Sequence, residues 1–285
     1  IEAYSKVTNS FLYREYIKKR KNSQWSKILS NSFKNITEKN IKNFRNNEMG
    51  PGFDNNFLID KEKIKKDFEK YKNDNILLQN LDLLPNIKNN YGNLKNFINF
   101  KDKMIEYDTF SNLSFYNLID KFILKKNRIN LICEIGGGYG WLTRIIKTRY
   151  PDIKFVLIDL PELNLISNYY LKSNFQKLNF LNFSSMNSEK ITKENLQQND
   201  FIIAPPFVDI SDLSIDLFIN RHSMMEMLKQ DIKLYFDLIQ NNKKKDFFFI
   251  NQNRYYQDYT FKNYLYKYPY DKNWAVVFSD PKNDT

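Results

Sequence analysis

From Ile129 onward, short apolar runs alternate with longer amphipathic stretches. The runs at 130–135, 154–159, 201–204, 215–220 and 246–251 are rich in Val, Ile, Leu and Phe and read as buried strands. Pro161-Glu162 opens a helix with proline in its first turn, and 224–241 carries the spacing of another. Residues 274–278 predict a last strand, whereas 174–200 is rich in Asn and Ser and has no decisive period. Strands alternating with helices predict a mostly parallel sheet covered on both faces. The first 126 residues read differently. Phe11, Leu12, Tyr16 and Ile17 lie at helical spacing, and 60–72 is charged and amphipathic. Residues 111–126 place Leu113, Phe115, Tyr116, Leu118, Ile119, Phe122 and Ile123 on one wide apolar helical face. No internal repeat is present.

The chemistry begins where the first of these strands ends. The chain has 7 glycines, and four of them, Gly136, Gly137, Gly138 and Gly140, fall together in Glu134-Ile135-Gly136-Gly137-Gly138-Tyr139-Gly140. The next strand ends on Asp159. Strand, glycine turn, helix, strand, acid is the layout of a nucleoside-binding βαβ unit. A dinucleotide fingerprint needs a third glycine where this chain has Trp141, so a pyrophosphate is disfavoured. E-x-G-x-G-x-G points instead to S-adenosyl-L-methionine. Its binding residues are expected to be Glu134, Gly136, Gly137, Gly138, Tyr139, Gly140, Asp159 and Leu160, with Asp159 accepting from the ribose hydroxyls.

In an open α/β sheet, ligands lie beyond the carboxyl ends of the strands. His222, the only histidine, leaves the strand that would face a methyl acceptor. It is a candidate general base, a substrate-orienting group, or a structural histidine bonded to a loop. Glu226 is a candidate to orient His222, to act as the base itself, or to cap the following helix. Arg221 and Arg254 leave strand ends near the same cleft and are candidates to bind a substrate phosphate or carboxylate, or to form ion pairs. Ala204-Pro205-Pro206-Phe207 has the shape of an N-methyltransferase motif, but Ala204 cannot accept from a target amine, so the prolines read as a strand terminator. Lys243-Lys244-Lys245 reads as a solvated turn. No Asp, Glu and His cluster shows metal-ligand spacing, so no metal is expected, with a carboxylate-held Mg²⁺ as the alternative.

Composition adds limits. The formal net charge is +11, and +9 of it falls in residues 1–126. That suits an anionic partner, or else the Lys- and Asn-rich usage of an AT-rich genome. Cys133 is the only cysteine, so no disulfide framework exists and a reducing, cytoplasmic setting is expected. The first residues lack a signal-peptide core and no apolar run reaches membrane-spanning length. The chain opens on Ile1, so the numbering is expected to start inside a longer protein.

Together, 134–140, Ile158-Asp159-Leu160-Pro161-Glu162, Ile219-Asn220-Arg221-His222-Ser223-Met224-Met225-Glu226-Met227 and Asn253-Arg254-Tyr255 resemble the bacterial putative sugar O-methyltransferase family over roughly 110–280. The resemblance implies an α/β, Rossmann-like class I methyltransferase sheet, mostly parallel and seven-stranded, with a helical N-terminal region. It implies S-adenosyl-L-methionine as donor and a sugar or nucleotide sugar as acceptor, in capsule or lipopolysaccharide synthesis. The expected organisation is a helical acceptor lid over 1–110 and the methyltransferase domain over 111–285. An RNA or protein methyltransferase and a non-catalytic donor-binding subunit remain alternatives, although no nucleic-acid module is recognisable.

Overall fold

The computed structural model describes residues 2–19, 33, 36–46, 60–185, 189–253 and 267–279. The N-terminal region contributes helices α1 (Glu2–Thr8), α2 (Phe11–Lys18), α3 (Glu38–Lys42), α4 (Lys61–Tyr71) and α5 (Asn75–Gln79). Each of the last four begins on a Ser, Thr or Asp whose side chain accepts an amide of the first turn. A two-stranded antiparallel hairpin follows, β1 (Ile98–Phe100) and β2 (Lys103–Ile105). It was not legible in the sequence, because three-residue strands are too short to show a period of two. Helix α6 (Thr109–Ile119) runs on into a π-turn at Asp120–Leu124, shorter as an α-helix than its apolar face suggested.

The main sheet has six strands, all parallel, built from β3 (Leu131–Ile135), β4 (Lys154–Ile158), β5 (Phe180–Asn182), β6 (Phe201–Ala204), β7 (Leu217–Arg221) and β8 (Phe248–Gln252). Their spatial order is β5-β6-β4-β3-β7-β8. Helices α7 (Trp141–Arg149) and α8 (Pro161–Asn174) join α6 on one face, and α10 (Lys229–Gln240) covers the other. The short α9 (Lys193–Gln198) precedes β6. Side chains of β3 alternate between the two cores: Ile132 packs with α6, α7 and α8, while Cys133 and Ile135 pack with α10. Every residue of β3 is buried, which is why these strands read as continuous apolar runs.

Several expectations change. Residues 274–278 form no strand. Trp274 instead packs across Phe247 and Phe249, so six parallel strands stand in the main sheet among the described residues where seven were implied. The helix expected over 224–241 is broken: a 3-10 turn spans Met224–Glu226, Met227 and Leu228 are extended, and α10 starts at Lys229. The ambiguous 174–200 stretch yields the edge strand β5 and α9. Lys243 and Lys244 meet Asp212 and Asp216, in keeping with a turn rather than a binding patch. The main core is continuous from Ile41, Phe44, Phe68 and Leu77 to Ile132, Ile145 and Ile250, so the helical region and the sheet share it.

Candidate functional site

The order of strands reverses on either side of β3, and the cleft at such a point opens over the carboxyl ends of β3, β4 and β7. The glycine turn leaves β3 there. Gly136, Gly138 and Gly140 have φ of 69°, 59° and 88°, a region that side chains disfavour. A Cβ on Gly136 would overlap Ser223, whereas one on Gly138 would meet nothing within 4 Å. The turn is therefore closed on its Ser223 side and open above Gly138. Gly140 caps α7, whose first free N–H groups face the turn.

Asp159 stands at the end of β4, buried beside this opening. Its carboxylate accepts from the Gly138 N–H at 2.9 Å and the Leu160 N–H at 2.8 Å. Each oxygen retains a lone pair for a ligand hydroxyl. Burial pushes Asp159 up to about 7, against the pull of those two N–H groups. Glu134 sits beside Gly137. It is buried under the turn, where Thr143 donates to it and where a Cβ on Gly137 would lie 2.7 Å from its Cδ. It supports the loop from below, and burial pushes it up to about 7 as well. Tyr139 is tied to the N-terminal region, 5.3 Å from Phe44, and to α8, 5.0 Å from Tyr170. Leu160 is half-buried at the start of α8.

The exit of β7 closes the other side. Asn220, fully buried, donates to the Ile135 carbonyl at 2.8 Å and to Ser223 Oγ, and accepts from the Met224 N–H at 3.2 Å. This bracket holds Ser223 against Gly136. His222 is the residue before Ser223. Its φ is 65°, unusual for a residue with a side chain, and its N–H donates to the Gln252 carbonyl at 2.7 Å. It is half-buried. Glu226 lies in the 3-10 turn that follows, its N–H on the Ser223 carbonyl at 3.1 Å. Glu226 is thus not in the first turn of α10, where Asp231 is the acidic residue, and the helix-capping alternative lapses.

Arg221 is held by protein partners. It donates to Gln252 Oε1 at 2.8 Å, to Ser111 Oγ at 2.7 Å and to Asn112, and its guanidinium lies over Phe115 at 5.3 Å. It clamps β7 and β8 to α6. Arg254, and the glycine loop at 49–56, lie outside the described residues. Among the described residues no group of three His, Cys, Asp or Glu could hold a metal, and no helix is long and apolar enough to cross a membrane.

Sequence reasoning missed three contributors. Asn220 and Ser223 were quoted only as part of a motif, and a bracket between strand exits leaves no local signal. The third is the contact of α1 and α2 with the strand ends. Tyr13 donates to Glu162 at the start of α8, Tyr16 lies 5.8 Å from Phe207 beyond β6, and Gln230 reaches the Lys19 carbonyl at 3.5 Å. Burial and the nearby Tyr13 hydroxyl act oppositely on Glu162; burial prevails and raises it.

Residues 96–203 match the family model described as O-methyltransferase domain. No curated protein sequence matches the chain. Among solved structures, a S-adenosylmethionine-dependent methyltransferase from Clostridium acetobutylicum aligns at 19% identity over 50% of this chain and 49% of that one, with a TM-score of 0.33. Human N-acetylserotonin methyltransferase in complex with SAM aligns at 20% identity over 45% of this chain and 32% of that one, with a TM-score of 0.27. The mitomycin 7-O-methyltransferase MmcR aligns at 16% identity over 46% and 33%, with a TM-score of 0.32. The chain spans between a third and a half of the length of these proteins. The architecture is an α/β fold with a six-stranded parallel sheet, and the open turn, the α7 N-terminus and Asp159 form a site whose residues fit S-adenosyl-L-methionine.

Proposed function

We propose that the chain is an S-adenosylmethionine-dependent O-methyltransferase whose acceptor is a sugar hydroxyl, on a nucleotide sugar or a surface polysaccharide such as capsule or O-antigen. One observation carries the reading: the sole histidine leaves β7 in a left-handed conformation, one residue from the serine that packs on the donor turn. The O-methyltransferase match over 96–203 supports oxygen as the methylated atom.

Bound donor supplies an electrophilic methyl group on a sulfonium. The residues do the rest. The turn at Gly138 leaves room for the nucleoside, and Asp159 accepts from its hydroxyls. His222 takes the proton of the attacking sugar hydroxyl as the new C–O bond forms. Glu226, four residues on, is the group we assign to orient it. Helices α1 and α2 act as a lid, excluding water from the transfer. Contacts of α2 beyond β4 and β6, from Tyr13 to Glu162 and from Tyr16 to Phe207, support a lid that completes the acceptor site. Arg45 pairs with Glu106 and Lys42 with Glu38 inside the N-terminal region, and its net +9 already counts both acids. Methyl transfer to a panel of nucleotide sugars and capsule oligosaccharides, followed by mass spectrometry, tests the acceptor. Transfer to RNA or protein alone would replace the sugar reading, and donor binding without transfer to any class would make the chain a binding subunit.

The raised acidity constants give a pH signature. The folded values of Asp159 and Glu134 lie above their ordinary ones, so each favours the fold at low pH and loses that contribution as pH rises through about 7. A hydroxyl donated to Asp159 favours its ionised form. Binding of S-adenosylhomocysteine should therefore release a proton and tighten as pH rises through about 7. Calorimetry in two buffers of different ionisation heat measures this release, and Asp159→Asn should remove most of it. A wild-type protein that binds without releasing a proton would contradict the assignment of Asp159.

A further inference from the structure

The glycine turn is held by more than its own βαβ unit. Gly140 is flanked by Tyr139 and Trp141, and one buried ion pair from the N-terminal region holds both. Arg45 and Glu106 are 1% and 3% exposed and bond directly. The Arg45 guanidinium lies over the Tyr139 ring at 5.1 Å. Glu106 accepts from the Trp141 indole N–H at 3.0 Å, and its own N–H is held by Thr109 at 2.9 Å. The seat for Arg45 is shaped in turn by Gly92. With φ of 89°, Gly92 accepts the Arg45 N–H at 2.9 Å, and a Cβ there would lie 2.7 Å from Arg45 Cγ. A second tie runs beside the first. Arg144 of α7 lies 5.7 Å over the Trp141 ring and donates to the Leu83 carbonyl at 2.8 Å.

A buried ion pair contributes little net stability compared with an apolar pair of the same shape, and its better-attested role is to fix one arrangement. Here the arrangement fixed is that of the two aromatic residues beside the α7 N-cap. We propose that Arg45 and Glu106 are positioning residues that set the shape of the donor turn through Tyr139 and Trp141, so that donor affinity depends on the N-terminal region. This rests on the reading of the turn as the donor site.

Two variants of the full chain test the proposal. Trp141→Phe keeps an aromatic side chain and removes the indole N–H given to Glu106 together with one of the two fused rings. The double variant Arg45→Met with Glu106→Gln removes both charges, so neither is left buried alone. Affinity for S-adenosylhomocysteine is measured by calorimetry, and amide exchange is followed at 136–142 and in β3 and β4. Misplacement of a binding group by about an ångström costs up to about a hundredfold. Trp141→Phe should therefore weaken binding at least about tenfold and the double variant further. Exchange should rise at 136–142 and stay unchanged in the two strands, which a general loss of stability would not produce. If the double variant fails to fold, Trp141→Phe still decides. Wild-type binding together with unchanged affinity and exchange in the folded variants would overturn the positioning role and leave the donor site standing. Failure of the wild-type protein to bind S-adenosylhomocysteine would overturn the donor reading and this inference with it.

Discussion

Gly138→Val should leave the protein folded and abolish donor binding. A Cβ at this position meets no atom within 4 Å, so the substitution disturbs no packing. Its cost to the fold is the left-handed backbone at φ 59°, about 1–2 kcal/mol. The new methyl groups occupy the opening beside Asp159, where the nucleoside must lie. Affinity for S-adenosylhomocysteine should fall by at least about a hundredfold, or about 2.7 kcal/mol. Gly136→Ala provides the contrast. Its Cβ overlaps Ser223, which Asn220 and the Ile135 carbonyl hold in place, so the β7 exit must move. That variant should lose both thermal stability and binding. Melting curves and calorimetry separate the two. A folded Gly138→Val protein that binds like the wild type would remove the turn from the donor site.

The difference between the two glycines shows what a sequence can and cannot carry. Gly136-x-Gly138-x-Gly140 after an apolar strand, with Asp159 closing the next one, announces a nucleoside turn, because positive φ and close approach select glycine locally. The sequence does not say which glycine faces the ligand and which faces the protein. That depends on Ser223, 87 positions beyond Gly136 in the chain and brought there only by the β3–β7 pairing. Arg221 followed the same logic. Its position at a strand exit was legible, but the Ser111, Asn112 and Gln252 side chains that occupy it come from α6 and β8. Long apolar runs gave their strands nearly to the residue, since burial on both faces leaves little choice of side chain. The 274–278 run misled because Trp274 packs on Phe247 and Phe249 and Phe278 stacks on Phe122, while Val276 and Val277 are exposed and join no ladder. The broken helix after Glu226 also escaped, although the bond from the Met224 N–H to Asn220 that closes the preceding turn spans only four residues.

His222→Ala should lower turnover by roughly 10²–10⁴ while leaving donor affinity near that of the wild type. A neutral sugar hydroxyl is a poor nucleophile, and a positioned base that takes its proton contributes on that scale. The left-handed backbone at His222 complicates the alanine variant, because alanine tolerates φ of 65° poorly. His222→Asn resolves this. Asparagine adopts that conformation more readily than most residues and has no proton-accepting nitrogen, so it separates loss of the base from collapse of the β7 exit. Both variants should bind S-adenosylhomocysteine normally, and both should lose turnover to a similar degree. Glu226→Gln completes the set. If Glu226 orients the imidazole, its loss should cost less than that of His222, and the double variant should cost little more than His222→Asn alone, since residues acting as a unit are not additive. If the His222 variants turn over at near wild-type rates with saturating acceptor while Glu226→Gln does not, the proton goes to Glu226, and the left-handed residue at the end of β7 serves only to turn the chain.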